Sequence, residues 1–408
     1  MLGASFHSTA PKAANAMTIP LTPDTLPPGK AAPIDRAACG QVVLVLQGGG
    51  ALGAYQAGVF QALHEAGVEP DWVIGTSIGA INAALIAGNA PEKRLARLRE
   101  FWMRMRHNPW VQLLAATPVV GAQAAHNLTA MGGVRGFFEP NPAAWLGMHS
   151  PLGSEAAGYY KTAALERTLG ELIDFERLNS GATRLSVGAA HVQSGEMRYF
   201  DSRETPLDAR HVMASGALPP AFPAIRIDGE LYWDGGILSN TPVEAVFDDN
   251  PRRDSLVFAV HLWGPNGPEP DTLWRVLGRQ KDLQYSSRAV SHIRRQRQIH
   301  RLRHVIAELA KMVPEADRAT NFVREMAGYG CLTRMHVVRL LAPNLAGEDH
   351  LKDIDFSPAG IRARWDAGYL DTSRVLARAP WTAQHDPLEG FILHEARAGE
   401  MMPEAEIA

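Results

Sequence analysis

The sequence predicts an α/β protein whose core is a mainly parallel sheet, and three observations carry that prediction. The continuous apolar run Gln41-Val42-Val43-Leu44-Val45-Leu46 suits a strand buried on both faces. A glycine loop follows it at once and leads into apolar residues at helical spacing. The same order of strand, loop and helix then repeats, which places the working loops at the carboxyl ends of the strands.

In chain order, residues 1–40 contain Pro11, Pro20, Pro23, Pro27, Pro28 and Pro33 without a periodic apolar face, and read as a disordered leader. They lack a basic segment followed by an apolar run, so no secretory signal is expected, and Met17 is a candidate initiator. After the first strand, Tyr55, Val59, Ala62, Leu63 and Ala66 recur at helical spacing, and Gly67 stands where a helix C-cap belongs. A short strand over residues 71–74 and a second helix from Ile78 come next. Between residues 101 and 160 the pattern breaks into aromatic, Pro and Gly punctuation, expected to be a cap insertion. Strands resume at residues 183–191 and 196–200, followed by a hairpin over 225–233 and a buried strand at 255–261. The catalytic region is expected to span 41–265. Residues 266–408 read as a mainly helical extension packed on the core. It holds a long basic helix, a strand at 335–341 and a final helix that Ser357 caps before Pro358.

Composition bounds the function. The 408 residues carry 40 Lys+Arg against 43 Asp+Glu, a net charge of −3, which excludes a globally basic nucleic-acid binder. Cys39 and Cys331 are the only cysteines and have no metal-ligand spacing, so neither a disulfide scaffold nor a metal site is expected, and a reducing compartment fits. No run of eighteen apolar residues occurs. The expected location is cytoplasmic, with peripheral membrane contact as an addition. Nothing in the sequence defines an oligomeric state.

Three segments carry chemistry. Gly75-Thr76-Ser77-Ile78-Gly79 fits G-x-S-x-G, in which Gly75 and Gly79 permit a strained strand-to-helix turn that pushes the Ser77 hydroxyl outward. A tight turn with Ser77 capping the helix is the alternative. The loop Gly48-Gly49-Gly50-Ala51-Leu52-Gly53 sits between strand and helix, where backbone N–H groups converge at a positive helix end and can hold an oxyanion. A nucleotide-phosphate loop is the alternative there, but no Lys follows the glycines. Asp234-Gly235-Gly236 can project a carboxylate from a tight turn and accept the Ser77 proton directly. Taken by itself, that element is better explained as an ordinary Asp-Gly hairpin turn.

The three segments in this order resemble the patatin-like phospholipase family. Further similarity lies in Ala54-Tyr55-Gln56-Ala57-Gly58-Val59, in Gly79-Ala80-Ile81-Asn82-Ala83-Ala84 and in the stretch from Ala214-Ser215-Gly216 to Pro223, so that it covers roughly residues 41–263. The resemblance implies a three-layer α/β/α core, here with a helical C-terminal extension. It also implies a Ser77–Asp234 dyad without a catalytic His, no cofactor, and hydrolysis of acyl esters of lipids, phospholipid or lysophospholipid first. One departure is Leu52, where the family often has Arg. That change preserves the amide donors and removes a positive charge from beside the oxyanion.

Two other functions fit the same residues: acyl transfer to an alcohol or thiol, which requires a site that excludes water, and a catalytically weak lipid-binding scaffold, for which Leu52 is the one motive. Were the dyad wrong, His211 and His261 would be the first candidates for a triad base. The helix over residues 288–304 carries Arg288, Arg294, Arg295, Arg297, Arg301 and Arg303 with no acid. It reads either as a solvated helix paired with acids elsewhere or as a face for anionic lipid headgroups, and not as a nucleic-acid surface.

Overall fold

The computed structural model describes residues 34–106, 132–147, 149–345, 348, 350–386 and 388–396. Its strands are β1 (Gln41–Leu46), β2 (Trp72–Thr76), the short β3 (Glu139–Pro140) and β4 (Tyr160–Lys161), β5 (Arg184–His191), β6 (Met197–Asp201), β7 (Ile225–Ile227), β8 (Glu230–Asp234), β9 (Ser255–His261), β10 (Met335–Leu341) and β11 (Phe391–Ala396). Nine of them form one sheet in the order β11-β10-β9-β1-β2-β5-β8-β7, with β6 also on β5, while β3 and β4 pair separately. From β11 to β5 every pairing is parallel, and the β6, β7 and β8 pairings are antiparallel.

Burial on both faces explains the composition of β1. Val42, Leu44 and Leu46 join one apolar cluster and Val43 and Val45 the other. Each such side chain contributes about 1.5–3 kcal/mol by leaving water, so neither face tolerates a charge. The first face packs against α2 (Ala54–Glu65), α3 (Ile78–Ala87) and the long C-terminal helix Pro358–Arg378. The second packs against Glu244–Phe247 and, through Ile293, the 40-residue helix Leu273–Met312. Helices on both faces of a mainly parallel sheet make the three-layer α/β/α fold.

Two sequence expectations are corrected here. The leader was expected to run to Gly40, but Arg36–Cys39 forms a short helix, α1, and Arg36 bonds Asp71 at 2.7 Å. A four-residue helix leaves no periodicity to read. Residues 1–33 of that leader and 107–131 of the cap insertion lie outside the described residues. The C-terminal region, besides its helices, supplies β10 and β11 to the same sheet, and β11 was not foreseen. Ser357 does cap the last long helix, accepting from Gly360 N at 3.0 Å. The hairpin over 225–233 also forms, turning through positive φ at Asp228 (49°) and Gly229 (90°). Among the described residues no helix is long and apolar enough to cross a membrane.

Candidate active site

The working loops follow β1, β2 and β9, neighbours at the centre of the parallel sheet. Strand order reverses at β1, which opens a crevice at these carboxyl ends. Ser77 sits between β2 and α3 with φ 57° and ψ −125°, a conformation that costs a non-glycine residue on the order of 1–3 kcal/mol. The flanking glycines make the turn possible. A Cβ on Gly75 would lie 2.3 Å from the Gly79 backbone, and one on Gly79 would lie 2.2 Å from Leu46 O. Ser215, at the end of the helix Ala209–Ser215, holds the turn from below. Ser77 N donates to its carbonyl at 3.1 Å and to its Oγ at 3.0 Å, while that hydroxyl donates to Gly188 O at 2.6 Å.

Asp234 closes β8 opposite Ala189 and is buried. Its Oδ1 accepts from Gly236 N at 2.7 Å, and the carboxyl and Ser77 line the same cavity. Burial raises its pKa to about 7, against the opposing pull of the Gly236 N–H and the neighbouring Ser77 hydroxyl. Here too the glycines have steric work: a Cβ on Gly235 would stand 2.4 Å from Gly188 O.

The glycine loop is clamped to both neighbours. Gly48 O accepts from Trp263 Nε1 at 2.8 Å and Asn240 Nδ2 at 3.2 Å, and Gly48 N donates to Asn240 O at 3.2 Å. Because a trans peptide points its C=O and N–H in opposite directions, pinning Gly48 O turns the Gly49 N–H the other way. Among the described residues neither Gly49 nor Gly50 N–H donates to another backbone group. The remaining loop residues differ: Ala51, Leu52 and Gly53 belong to a 3₁₀ turn, Leu52 N donates to Gly49 O at 3.1 Å, and none of the three lines the cavity described next. The Leu52 side chain is buried in a small cavity shared with Lys352 and Arg364. Those cations are already neutralised by Asp282, Glu348 and Asp355.

Ser77, Asp234 and Gly48 to Gly50 open into one cavity of about 180 Å³. One wall is a cluster of five rings, Phe137, Phe138, Tyr160, Phe222 and Phe356, with neighbouring centroids 4.7–6.4 Å apart. Phe137, Phe138 and Tyr160 come from the expected cap insertion. Phe356 comes from the C-terminal region, as do Tyr285, Asp353 and Ile354. That region presses directly on the loop, since a Cβ on Gly50 would meet Asp353 O at 2.2 Å. Lys281 holds Asp353 at 2.7 Å. Sequence reasoning missed Asn240, Trp263, Tyr285, Asp353 and Phe356, which carry no local motif. Ser215 stood inside a quoted family segment without a role.

The histidines considered for a triad are elsewhere. His211 caps its own helix by bonding Asp208 at 2.8 Å, and His261 is buried in β9 with its pKa lowered to about 3, chiefly by burial and then by the Arg339 charge. Neither lines the cavity. The basic helix is only partly a free face. Arg297 pairs with Glu389, and His300 and His304 are buried, while Arg294, Arg295 and Arg301 are exposed. The side chain of Arg288 lies outside the described residues.

The patatin-like phospholipase family profile matches residues 44–247, and a second profile, described as patatin phospholipase, matches residues 283–388. The chain belongs to the patatin-like phospholipase family. Among curated relatives, lysophospholipase nte1 of Aspergillus terreus is 42% identical over 270 residues, covering 60% of this chain and 15% of that protein. Patatin-like phospholipase domain-containing protein 7 of Rattus norvegicus is 26% identical over 203 residues, 50% of this chain and 12% of its own length. The chain thus spans about 15% of the length of the fungal relative. Among solved structures, VipD from Legionella pneumophila aligns with 83% of this chain and 67% of its own at 17% identity and a TM-score of 0.35.

Proposed function

We propose that this chain is a lipid acyl-ester hydrolase in which Ser77 is the nucleophile and Asp234 its only proton acceptor. The observation that carries the reading is the placement of Ser77 beside a buried carboxyl on the same cavity wall, whose pKa, raised by burial to about 7, suits a base working near neutrality. Attack by Ser77 Oγ on an ester carbonyl carbon forms the C–O bond as Asp234 takes the hydroxyl proton, and the N–H groups of Gly49 and Gly50 face the developing oxyanion. Collapse breaks the bond to the alcohol, which leaves with the proton held by Asp234. Water, deprotonated in turn by Asp234, then releases the fatty acid from Ser77.

The aromatic wall supports a long acyl chain as the group bound, and family membership supports phospholipid or lysophospholipid as the ester. The direct test is hydrolysis of lysophosphatidylcholine by wild type and Ser77→Ala, with loss expected in the variant and substantial turnover there contradicting the assignment. Exposed Arg294, Arg295 and Arg301 support docking on anionic bilayers. Replacing all three by Gln should weaken salt-sensitive binding to phosphatidylglycerol vesicles, and unchanged binding at low salt would remove the membrane contact.

A further inference from the structure

A second cluster of chemically capable side chains lies at the edge of the sheet, and none of its members lines the cavity of Ser77. Strands β10 and β11 run parallel with His336 opposite Ile392 and Val338 opposite His394. Residues two apart on a strand share a face, so His336 and His394 stand diagonally on the same side. The segment between the last long helix and β11 brings His385 against both. The ligand-capable nitrogens of the three rings all lie within 4.8 Å of one another, His336 Nδ1 and His394 Nε2 at 3.1 Å.

The ring centres form a nearly equilateral triangle with sides of 5.3, 5.4 and 5.5 Å. Three imidazoles around one tetrahedral ion with metal–nitrogen bonds of about 2.0–2.1 Å would place their ring centres about 5.2 Å apart. A chain of ring contacts, by contrast, has no reason to close with equal sides. His385 Nε2 is buried and has no hydrogen-bond partner among the described residues, an arrangement that costs free energy unless something accepts its lone pair or proton.

We propose that His336, His385 and His394 form a site for a zinc-class divalent transition metal that ties the edge strand β11 and the segment before it to β10. An all-imidazole set without carboxylate or thiolate favours zinc, copper or nickel over magnesium or calcium. His385 and His394 are only partly buried, which gives the ion a way in and leaves a fourth position for water. The site strengthens the outermost strand, which has no neighbour beyond it in the sheet among the described residues.

The test uses the full chain stripped with chelator, titrated with Zn²⁺ by calorimetry and with Co²⁺ by visible absorption. Wild type should bind one ion per chain, develop the visible bands of low-coordinate Co²⁺, and unfold at a higher temperature with Zn²⁺. Loss of a second-shell partner alone weakens metal sites about 10–100-fold, so His336→Ala, His385→Ala and His394→Ala should each weaken binding at least to that extent and lose the thermal shift. Because His385 lies outside regular secondary structure, its variant keeps the fold if a strand variant does not. Ser77→Ala, Cys39→Ser and Cys331→Ser should bind as wild type does. Binding below one equivalent in wild type, or affinity within twofold of wild type in His385→Ala, overturns the proposal.

Discussion

The carboxyl ends of β1 and β2 and the C-terminal region build the same cavity by different means. At the first, function is written in contiguous residues: glycines flank Ser77 and precede α2 because a Cβ would strike backbone at 2.3 Å on Gly75 and 2.2 Å on Gly79, and the Leu262 side chain at 2.9 Å on Gly49. At the second, Tyr285, Asp353 and Phe356 reach the cavity from separate segments and obey no spacing rule. Steric necessity at close backbone approach leaves a local signature, whereas a wall assembled by long-range packing leaves none.

The largest effect should separate the carboxylate from the histidines. Asp234→Asn should lower kcat/KM for an acyl ester by about 10⁴-fold, the scale of a lost partner in a nucleophile–base unit, while His211→Ala stays within about threefold. Steady-state kinetics on the two purified variants decides it, and equal losses would move the base away from Asp234.

Next in size is a stability effect at the same residue. An unfolded Asp ionises near pH 3.8 and the folded one near 7, so the folded state holds the proton more tightly and its advantage disappears between those values as pH rises. The ionised, buried carboxylate therefore costs about 4 kcal/mol above pH 7. Asp234→Asn, free of that cost, should gain little over wild type in urea unfolding at pH 4 and about that much at pH 8. A pH-independent difference would show that the carboxylate is not strained by burial.

The two regions meet at Gly50, where φ is +55° and a Cβ would clash with Asp353 O. Gly50→Ala should cost about 2–3 kcal/mol and reduce activity, because the loop and the 352–356 segment must part. Gly67→Ala also places a side chain at positive φ (+74°) but with open space around it, so it should cost about 1 kcal/mol and leave kinetics unchanged. Matching losses would mean that the C-terminal segment does not brace the loop.

The smallest effect concerns the acyl wall. Phe356→Ala should lower kcat/KM for a long-chain ester about tenfold relative to a short-chain one, by removing one of five rings. The ratio is insensitive to general loss of stability, and an unchanged ratio would place the acyl chain elsewhere.

How much was legible follows the same division. Val-rich β1, the Ser77 elbow, the Asp228-Gly229 hairpin and the Ser357 cap each depend on neighbours in sequence, and each appears where the pattern placed it. Strand β11 escaped because its edge position requires no long apolar run. Arg297 finds its partner Glu389 only when the chain folds back over 92 positions, a pairing that no local pattern announces. Asn240 and Trp263, which orient the Gly48 peptide, were unreadable for the same reason.

The central claim is that the ends of β2 and β8 make one nucleophile from Ser77 and Asp234. The most direct measurement is the rate and position of labelling by a fluorophosphonate, followed by intact-mass and peptide mass spectrometry. The account predicts a single adduct on Ser77, none in Ser77→Ala, and labelling slowed by orders of magnitude in Asp234→Asn with the fold intact. An adduct on another residue, or undiminished labelling in Asp234→Asn, would contradict it.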